Sequence, residues 1–285
     1  MTSRRFAVTE LLALVAVATL ALSACTFGSP RVSEDIDWPD GVSAAVGLLD
    51  DTIVYSHLDD DAQPIASLAK VVAALVVLDS GVSTSETVTA QLSDQRISRQ
   101  IVELGGIAIP VEAGRELSVR ELLEGSLVVS ASNFTEMLVV AAFGSTEQYV
   151  DAARRYLVRH DLAGITIADA AGMTGGSLAT AADMVRVGKL ALGNNVIAEV
   201  VGMRSVTVEG VEYPNTNLLL LEPGWLGIKT GTDAAHHLLF AREVDGVVII
   251  GTVLGASASG YARQAAHILT DEVQESLGLT RRITA

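Results

Sequence analysis

Apolar and polar positions divide this chain into three unequal parts. Residues 6–22 form an apolar run broken only by Thr9, Glu10 and Thr19, and residues 26–40 (TFGSPRVSEDIDWPD) are polar, acidic and carry Pro30 and Pro39. From residue 41 onward, apolar residues recur with the periods of regular structure. Two short strand-like runs, 43–49 and 52–56, flank Asp50-Asp51 and predict a hairpin. Between residues 67 and 78 Ala, Val and Leu fill almost every position, with no Gly or Pro, so the pattern predicts a helix buried all round. Ser67 and Lys70 interrupt its surface. Residues 81–116 show no sustained period and read as surface-wandering chain. Segments 119–129, 134–142, 146–158 and 180–192 carry helical periodicity, the last with Ser177 or Thr180 as its cap. The C-terminal part alternates like strands at 205–208, 211–213, 226–232, 238–244 and 247–254, with Glu209-Gly210 and Asp245-Gly246 as tight turns. Residues 262–277 close as a helix. Strands at both ends with helices between them predict an α/β fold of the α+β type: an antiparallel sheet built from distant segments, packed on a helical subdomain.

The chain has 285 residues, 49% of them hydrophobic, enough to bury a full core. A net charge of −15 repels phosphate backbones, so nucleic acid is excluded as a partner. Arg4 and Arg5 ahead of the apolar run make a basic n-region and an h-region, the pattern of an export signal over residues 1–24. The run ends in Leu22-Ser23-Ala24-Cys25, which resembles the lipobox of bacterial lipoproteins. That likeness gives the chain's sole cysteine, Cys25, a purpose as a lipidation site, with residues 25–40 as a tether. An uncleaved transmembrane anchor and a soluble secreted form are the alternatives. The folded part is then 41–277, followed by a short tail, 278–285.

Of the 19 basic residues only Lys70, Lys189 and Lys229 are Lys. Arg cannot give up its proton in a protein, whereas a buried Lys can, so the retained lysines draw notice. In Ser67-Leu68-Ala69-Lys70 the first and last side chains share one helix face. Desolvation in an apolar helix would make Lys70 a base for the Ser67 hydroxyl. Lys229-Thr230-Gly231-Thr232 sits on a predicted strand, where Gly231 lets a substrate backbone approach and the Lys and hydroxyls suit a carboxylate. Each motif alone has a bland reading, a snorkelling Lys or an ordinary surface strand. Together, in this order, they match the Ser-x-x-Lys and Lys-Thr-Gly pair of penicillin-binding enzymes.

With its flanks the sequence resembles the D-alanyl-D-alanine carboxypeptidases, the low-molecular-mass penicillin-binding proteins of the β-lactamase/transpeptidase superfamily. The likeness rests on Pro64-Ile65-Ala66-Ser67-Leu68-Ala69-Lys70, on Asn215-Thr216-Asn217-Leu218-Leu219 leading to Gly227-Ile228-Lys229-Thr230-Gly231, and on Val253-Leu254-Gly255-Ala256. It extends over roughly residues 42–270. The middle motif departs from the pattern. Ser130-Ala131-Ser132 falls where the family carries Ser-x-Asn, since Glu136 and Leu138 then align, so Ser132 replaces the Asn. The other register offers Asn133 but leaves Ala131 where a hydroxyl is needed. The strand after Gly231 is one residue shorter than usual, and His236-His237 stand near a position where the family favours Gly.

The resemblance implies a central antiparallel sheet with the site between it and the helical region. It implies Ser67 as nucleophile, Lys70 as base, and Ser130 as proton relay to the leaving group. Ser132, Lys229, Thr230, Gly231 and Thr232 would bind substrate. The implied substrates are peptidoglycan stem peptides ending in D-Ala-D-Ala, with β-lactams as inhibitors, no metal or organic cofactor, and a lipid-anchored place on the outer face of the bacterial cell membrane. A transpeptidase or endopeptidase could use the same site, as could a weakly active penicillin- or peptidoglycan-binding lipoprotein. A class A β-lactamase needs a Glu-x-x-Leu-Asn element, and no such string occurs. His236 and His237, adjacent on a strand, should face opposite ways, and no zinc-type histidine spacing exists.

Overall fold

The computed structural model describes residues 30–33, 36–50, 52–58 and 61–279; the expected signal segment, Cys25 and the last six residues lie outside the described residues. Strands β1 (Ser43–Leu48) and β2 (Ile53–His57) form the expected hairpin. The two-residue β3 (Gln63–Pro64) leads into a single 3₁₀ turn, Ala66–Leu68, and then into α1 (Ala69–Asp79). The predicted buried helix is therefore two pieces, with Ser67 in the tight turn and Lys70 in the helix proper. Every residue of α1 from Ala69 to Val77 is buried, as its all-round apolar pattern requires.

Residues 81–116 are more ordered than their pattern suggests. β4 (Thr87–Thr89) pairs with β5 (Glu116–Ser118), and between them runs α2 (Leu92–Glu103). Only Ser98 and Ile101 of α2 are buried, so its inward stripe is too narrow to stand out among polar residues. α3 (Val119–Glu124) begins with a capping box in which Ser118 and Glu121 satisfy each other's backbone N–H groups. It widens into a π turn, Gly125–Val129, that ends on Ser130 in the left-handed region, φ 70°. α4 (Ser132–Phe143) and α5 (Thr146–Arg159) follow. β6 (Ile165–Thr166) and β7 (Leu178–Ala179) join β3 in a small sheet of order β3-β7-β6. Thr180, rather than Ser177, caps α6 (Ala181–Gly193) through its hydroxyl. Asn194 starts the unpredicted α7 (Asn195–Val201), accepting from Val196 N and Ile197 N.

β8 (Ser205–Val208) and β9 (Val211–Pro214) form a hairpin through Glu209 and Gly210, both at positive φ. Then β10 (Trp225–Thr232), β11 (His236–Val244), β12 (Val247–Ala256) and α8 (Ser259–Ser276) complete the chain. Asp245 and Gly246 also take positive φ, the backbone that a two-residue hairpin with the native strand twist demands. The central sheet has the order β10-β11-β12-β1-β2, all neighbours antiparallel. Its two ends thus come from opposite ends of the described chain.

Both faces of this sheet are covered, so its inner strands read as continuous apolar runs. Along β12, Ile250 and Leu254 join the core under α1, α4, α5 and α6, while Ile249 and Val253 join the core under α8. β11 alternates likewise, Leu239 and Ala241 to one side, Leu238 and Phe240 to the other. Edge strand β10 is left facing the helical layer, and the cleft opens there.

Candidate active site

Ser67 owes its position to a strained turn. Ala66, immediately before it, holds φ at 44°, a region that costs a β-carbon-bearing residue of order 1–3 kcal/mol. Ile65 lends its carbonyl to Leu68 N and its N–H to Ser177 O, pinning the turn between α1 and the small sheet. One turn into the buried helix, Lys70 is fully enclosed; its Nζ donates to Ser67 Oγ at 2.8 Å and to Ala171 O at 2.8 Å. Burial brings its pKa down from 10.5 to about 7, with the negative charges of Asp169 and Glu136 working against the fall. At neutral pH a large share of Lys70 is therefore a free amine 2.8 Å from the serine hydroxyl, the state in which an amine has a lone pair to accept a proton.

The second wall comes from the π turn. Ala131 N donates to Gly125 O at 2.9 Å and Ser132 N to Ile107 O at 2.8 Å, which fixes the reversal that presents Ser130 and Ser132 to the cleft. Asn133 is directed elsewhere. Its side chain accepts from Ile109 N at 3.1 Å and donates to Ile109 O at 2.7 Å and to Ser98 Oγ at 2.8 Å. The amide is spent on bracing the loop before residue 109 and does not substitute for the missing Asn at 132.

The third wall is β10. Lys229 is buried, and its Nζ donates to Thr230 O at 3.0 Å; burial, with the neighbouring Lys70 charge adding to it, holds its pKa well below the ordinary lysine value. Thr230 Oγ1 lies 2.7 Å from Thr216 Oγ1. A β-carbon on Gly231 would stand 2.9 Å from Ile65 O and 3.4 Å from Ser67 N, so glycine lets this strand close on the Ser67 turn. Ser67, Ser130, Ser132, Thr216, Thr230, Gly231 and Thr232 thus line one cleft of about 720 Å³. Lys70 and Lys229 lie beneath its floor.

Two contributors escaped the sequence reading. Arg263, on α8, reaches the cleft beside Ser259, and no carboxylate pairs with it among the described residues. As one of 16 arginines it carried no signal; only the packing of α8 on β11 and β12 selects it. The loop bearing Asp169, Ala171 and Gly172 supplies the second acceptor for Lys70. Both adjacent histidines border the cleft from opposite faces of β11, as expected: His237 pairs with Gly231 on the face toward Ser67, and His236 pairs with Thr232, its Nδ1 3.4 Å from Thr232 Oγ1. His237 Nδ1 accepts from Gly255 N at 3.2 Å, leaving the proton on Nε2 to be donated to Asp233 Oδ1 at 3.1 Å. Burial depresses its pKa, opposed by Asp233, so His237 is a neutral strut of the β10–β11 turn. Among the described residues no group of three or more His, Cys, Asp or Glu side chains is placed to hold a metal ion.

A serine hydroxyl paired with a buried amine, between a helical layer and the edge of an antiparallel sheet, defines the β-lactamase/transpeptidase class of folds. The family within that class follows from comparison with known proteins. The model of the D-alanyl-D-alanine carboxypeptidase family matches residues 44–258, and the chain belongs to that family. It is 26% identical over 215 residues to the D-alanyl-D-alanine carboxypeptidase DacF of Bacillus subtilis, a match covering 72% of this chain and 54% of that protein. It is 29% identical over 236 residues to DacB2 of Mycobacterium tuberculosis, a carboxypeptidase of the same name, covering 79% of this chain and 74% of the relative. The crystal structure of a D-alanyl-D-alanine carboxypeptidase from Mycobacterium tuberculosis superposes with a TM-score of 0.74 at 26% identity, over 88% of this chain and 97% of that one.

Proposed function

We propose that the protein is an exported serine-type D-Ala-D-Ala carboxypeptidase that trims peptidoglycan stem peptides through an acyl-enzyme on Ser67. The observation that carries the proposal is the 2.8 Å bond from a buried Lys70, its pKa near 7, to the hydroxyl of Ser67. In this mechanism Lys70 takes the Ser67 proton as Oγ attacks the penultimate D-Ala carbonyl. The N–H groups of Ser67 and Thr232 receive the oxyanion, a contribution of about 3–4 kcal/mol per donor at such sites. Ser130 passes a proton to the leaving D-Ala amine. The carboxylate of that residue is held by Thr230 and Thr232 with Arg263, over the Lys229 amine beneath the cleft floor. Its negative charge offsets the burial and the Lys70 repulsion that act on Lys229. Water then hydrolyses the ester.

One observation favours a second reading, slow turnover of the acyl-enzyme in a protein that chiefly binds. Ser132 brings a short hydroxyl and no amide to the cleft, and Asn133 is committed to Ile109 and Ser98. The deciding experiment has two parts. Fluorescent penicillin should label the wild type and not Ser67→Ala; equal labelling of both refutes the acyl-enzyme. Steady release of D-Ala from a D-Ala-D-Ala peptide then supports the carboxypeptidase, and a single burst without turnover supports the binding reading.

Export belongs to the same proposal: residues 1–24 as signal, Cys25 as the lipidated mature N-terminus and residues 25–40 as tether, on the outer face of the cell membrane. No helix of the described residues is long and apolar enough to cross a membrane. Lipidation of Cys25 predicts that Cys25→Ser leaves the membrane fraction and changes the mass of the mature protein.

A further inference from the structure

The loop between β6 and β7 contains a carboxylate that serves its own backbone. Asp169 Oδ1 accepts from the N–H groups of Ala171 at 2.9 Å, Gly172 at 2.5 Å and Met173 at 3.0 Å, and Oδ2 accepts from Thr174 N at 3.0 Å and Thr174 Oγ1 at 2.5 Å. Successive N–H groups gathered on one anion fix a loop in a single shape. Two consequences reach the cleft. The Ala171 carbonyl is presented to Lys70 Nζ at 2.8 Å, across 101 residues of sequence. Gly172, at φ 71°, is pressed onto the carbonyl of Ala66, so closely that a β-carbon there would overlap it. Ala66 is the strained residue preceding Ser67.

We propose that Asp169 is the positioning residue of this site, its carboxylate holding the Ala171 carbonyl on Lys70 and Gly172 against the nucleophile turn, and its charge acting on the Lys70 amine. The inference rests on the acyl-transfer reading of Ser67 and Lys70. The geometry alone assigns the two contacts; the charge adds a third effect. Burial lowers the Lys70 pKa and Asp169 raises it. The other groups bearing on Lys70 are Glu136 from α4, which also raises its pKa, and Lys229 from β10, whose own proton Lys70 disfavours. From α5 comes the buried phenol of Tyr149, which burial and the two carboxylates keep protonated. Asp183 of α6 is turned to Gly164 N and Arg186. Asp169 itself stays ionised, since its hydrogen bonds outweigh its desolvation and lower its pKa.

The test is the pH dependence of acylation by fluorescent penicillin, from pH 5 to 9, in the wild type, Asp169→Asn, Asp169→Ala and Thr174→Val. Asp169→Asn removes the charge, so the acid limb, where Lys70 loses its proton, should move down by about half a pH unit or more. Asp169→Ala removes charge and clamp together, and its plateau should fall at least about 100-fold as Lys70 and Ser67 lose their fixed relation. Thr174→Val deletes one hydrogen bond and keeps the charge, so its plateau should fall while the limb stays in place. An Asp169→Asn limb at the wild-type pH, or a Thr174→Val limb displaced as far as that of Asp169→Asn, overturns the role of the charge. An Asp169→Ala plateau within about threefold of wild type overturns the clamp. Wild type that labels no better than Ser67→Ala refutes the acyl-transfer reading instead, so the two failures are told apart.

Discussion

Replacing Lys70 with Met should stabilise the fold while abolishing acylation, because the site keeps an amine where the core favours a hydrocarbon. Folding lowers the Lys70 pKa from 10.5 to about 7. At about 1.4 kcal/mol per tenfold, that gap is about 5 kcal/mol of stability lost wherever the folded protein has to carry the charge. The pH window follows from the sign. Below about pH 7 both states are protonated and the whole penalty is present. Between 7 and 10.5 the folded amine is neutral while the unfolded chain keeps its proton, so stability climbs with pH, and above 10.5 the penalty is gone. Met fits a similar volume but leaves Ser67 Oγ and Ala171 O without their partner, an opposing cost of about 1–3 kcal/mol. The net gain should be about 2–4 kcal/mol at pH 6 and close to zero at pH 9, where about 2 kcal/mol of the penalty remains. Urea unfolding of both proteins at the two pH values measures it, provided the m-values agree. A Met variant less stable than wild type at pH 6, or a difference that does not shrink as pH rises, refutes the reasoning. Penicillin labelling of the same variant should be absent.

Other substitutions probe the neighbouring walls. Gly172→Ala forces a β-carbon into the Ala66 carbonyl at positive φ; thermal unfolding should show a loss of at least about 1–2 kcal/mol, and acylation should fall with it. Ser132→Asn adds the amide that this chain lacks at the cleft. Steady-state release of D-Ala should show kcat rising several-fold with little change in KM, and an unchanged kcat would remove Ser132 as the reason for slow turnover.

The parts of the fold that sequence revealed are those where burial dictates composition. α1 could be read because a helix enclosed on all sides tolerates only Ala, Val and Leu, so Ser67 and Lys70 stood out against it. The β11–β12 hairpin could be read because Asp245-Gly246 suits a two-residue turn between runs buried on both faces. α2 could not, since it hides only Ser98 and Ile101, and neither could α7, seven residues long and begun by a capping Asn. The orientation of Asn133 depends on the rotational phase of α4, which follows from Ser130 leaving the π turn at φ 70°. No local pattern encodes that phase.

The proposed site was legible in Ser67, Lys70 and Lys229 and illegible in the residues that pack around them, and the difference has a physical cause. Ser67, Lys70 and Lys229 are chemically costly where they lie, so each contradicts its surroundings and shows in a single sequence. Asp169, Gly172 and Ala66 contradict nothing locally. An Asp followed by Ala-Ala-Gly reads as an ordinary turn, and only the contact from Ala171 to Lys70, 101 residues distant, gives that turn its consequence. Arg263 is the same kind of residue, unremarkable on α8 until the sheet order brings α8 to the end of β10. Strand order therefore decides the chemistry here. With β1 paired to β12, the two halves of the described chain close on each other, and Lys70, the strained turn and the Lys229–Thr232 edge meet at β10. A residue that weakens this closure, such as a charged side chain at Val46 opposite Gly251, should lower acylation as surely as one in the cleft.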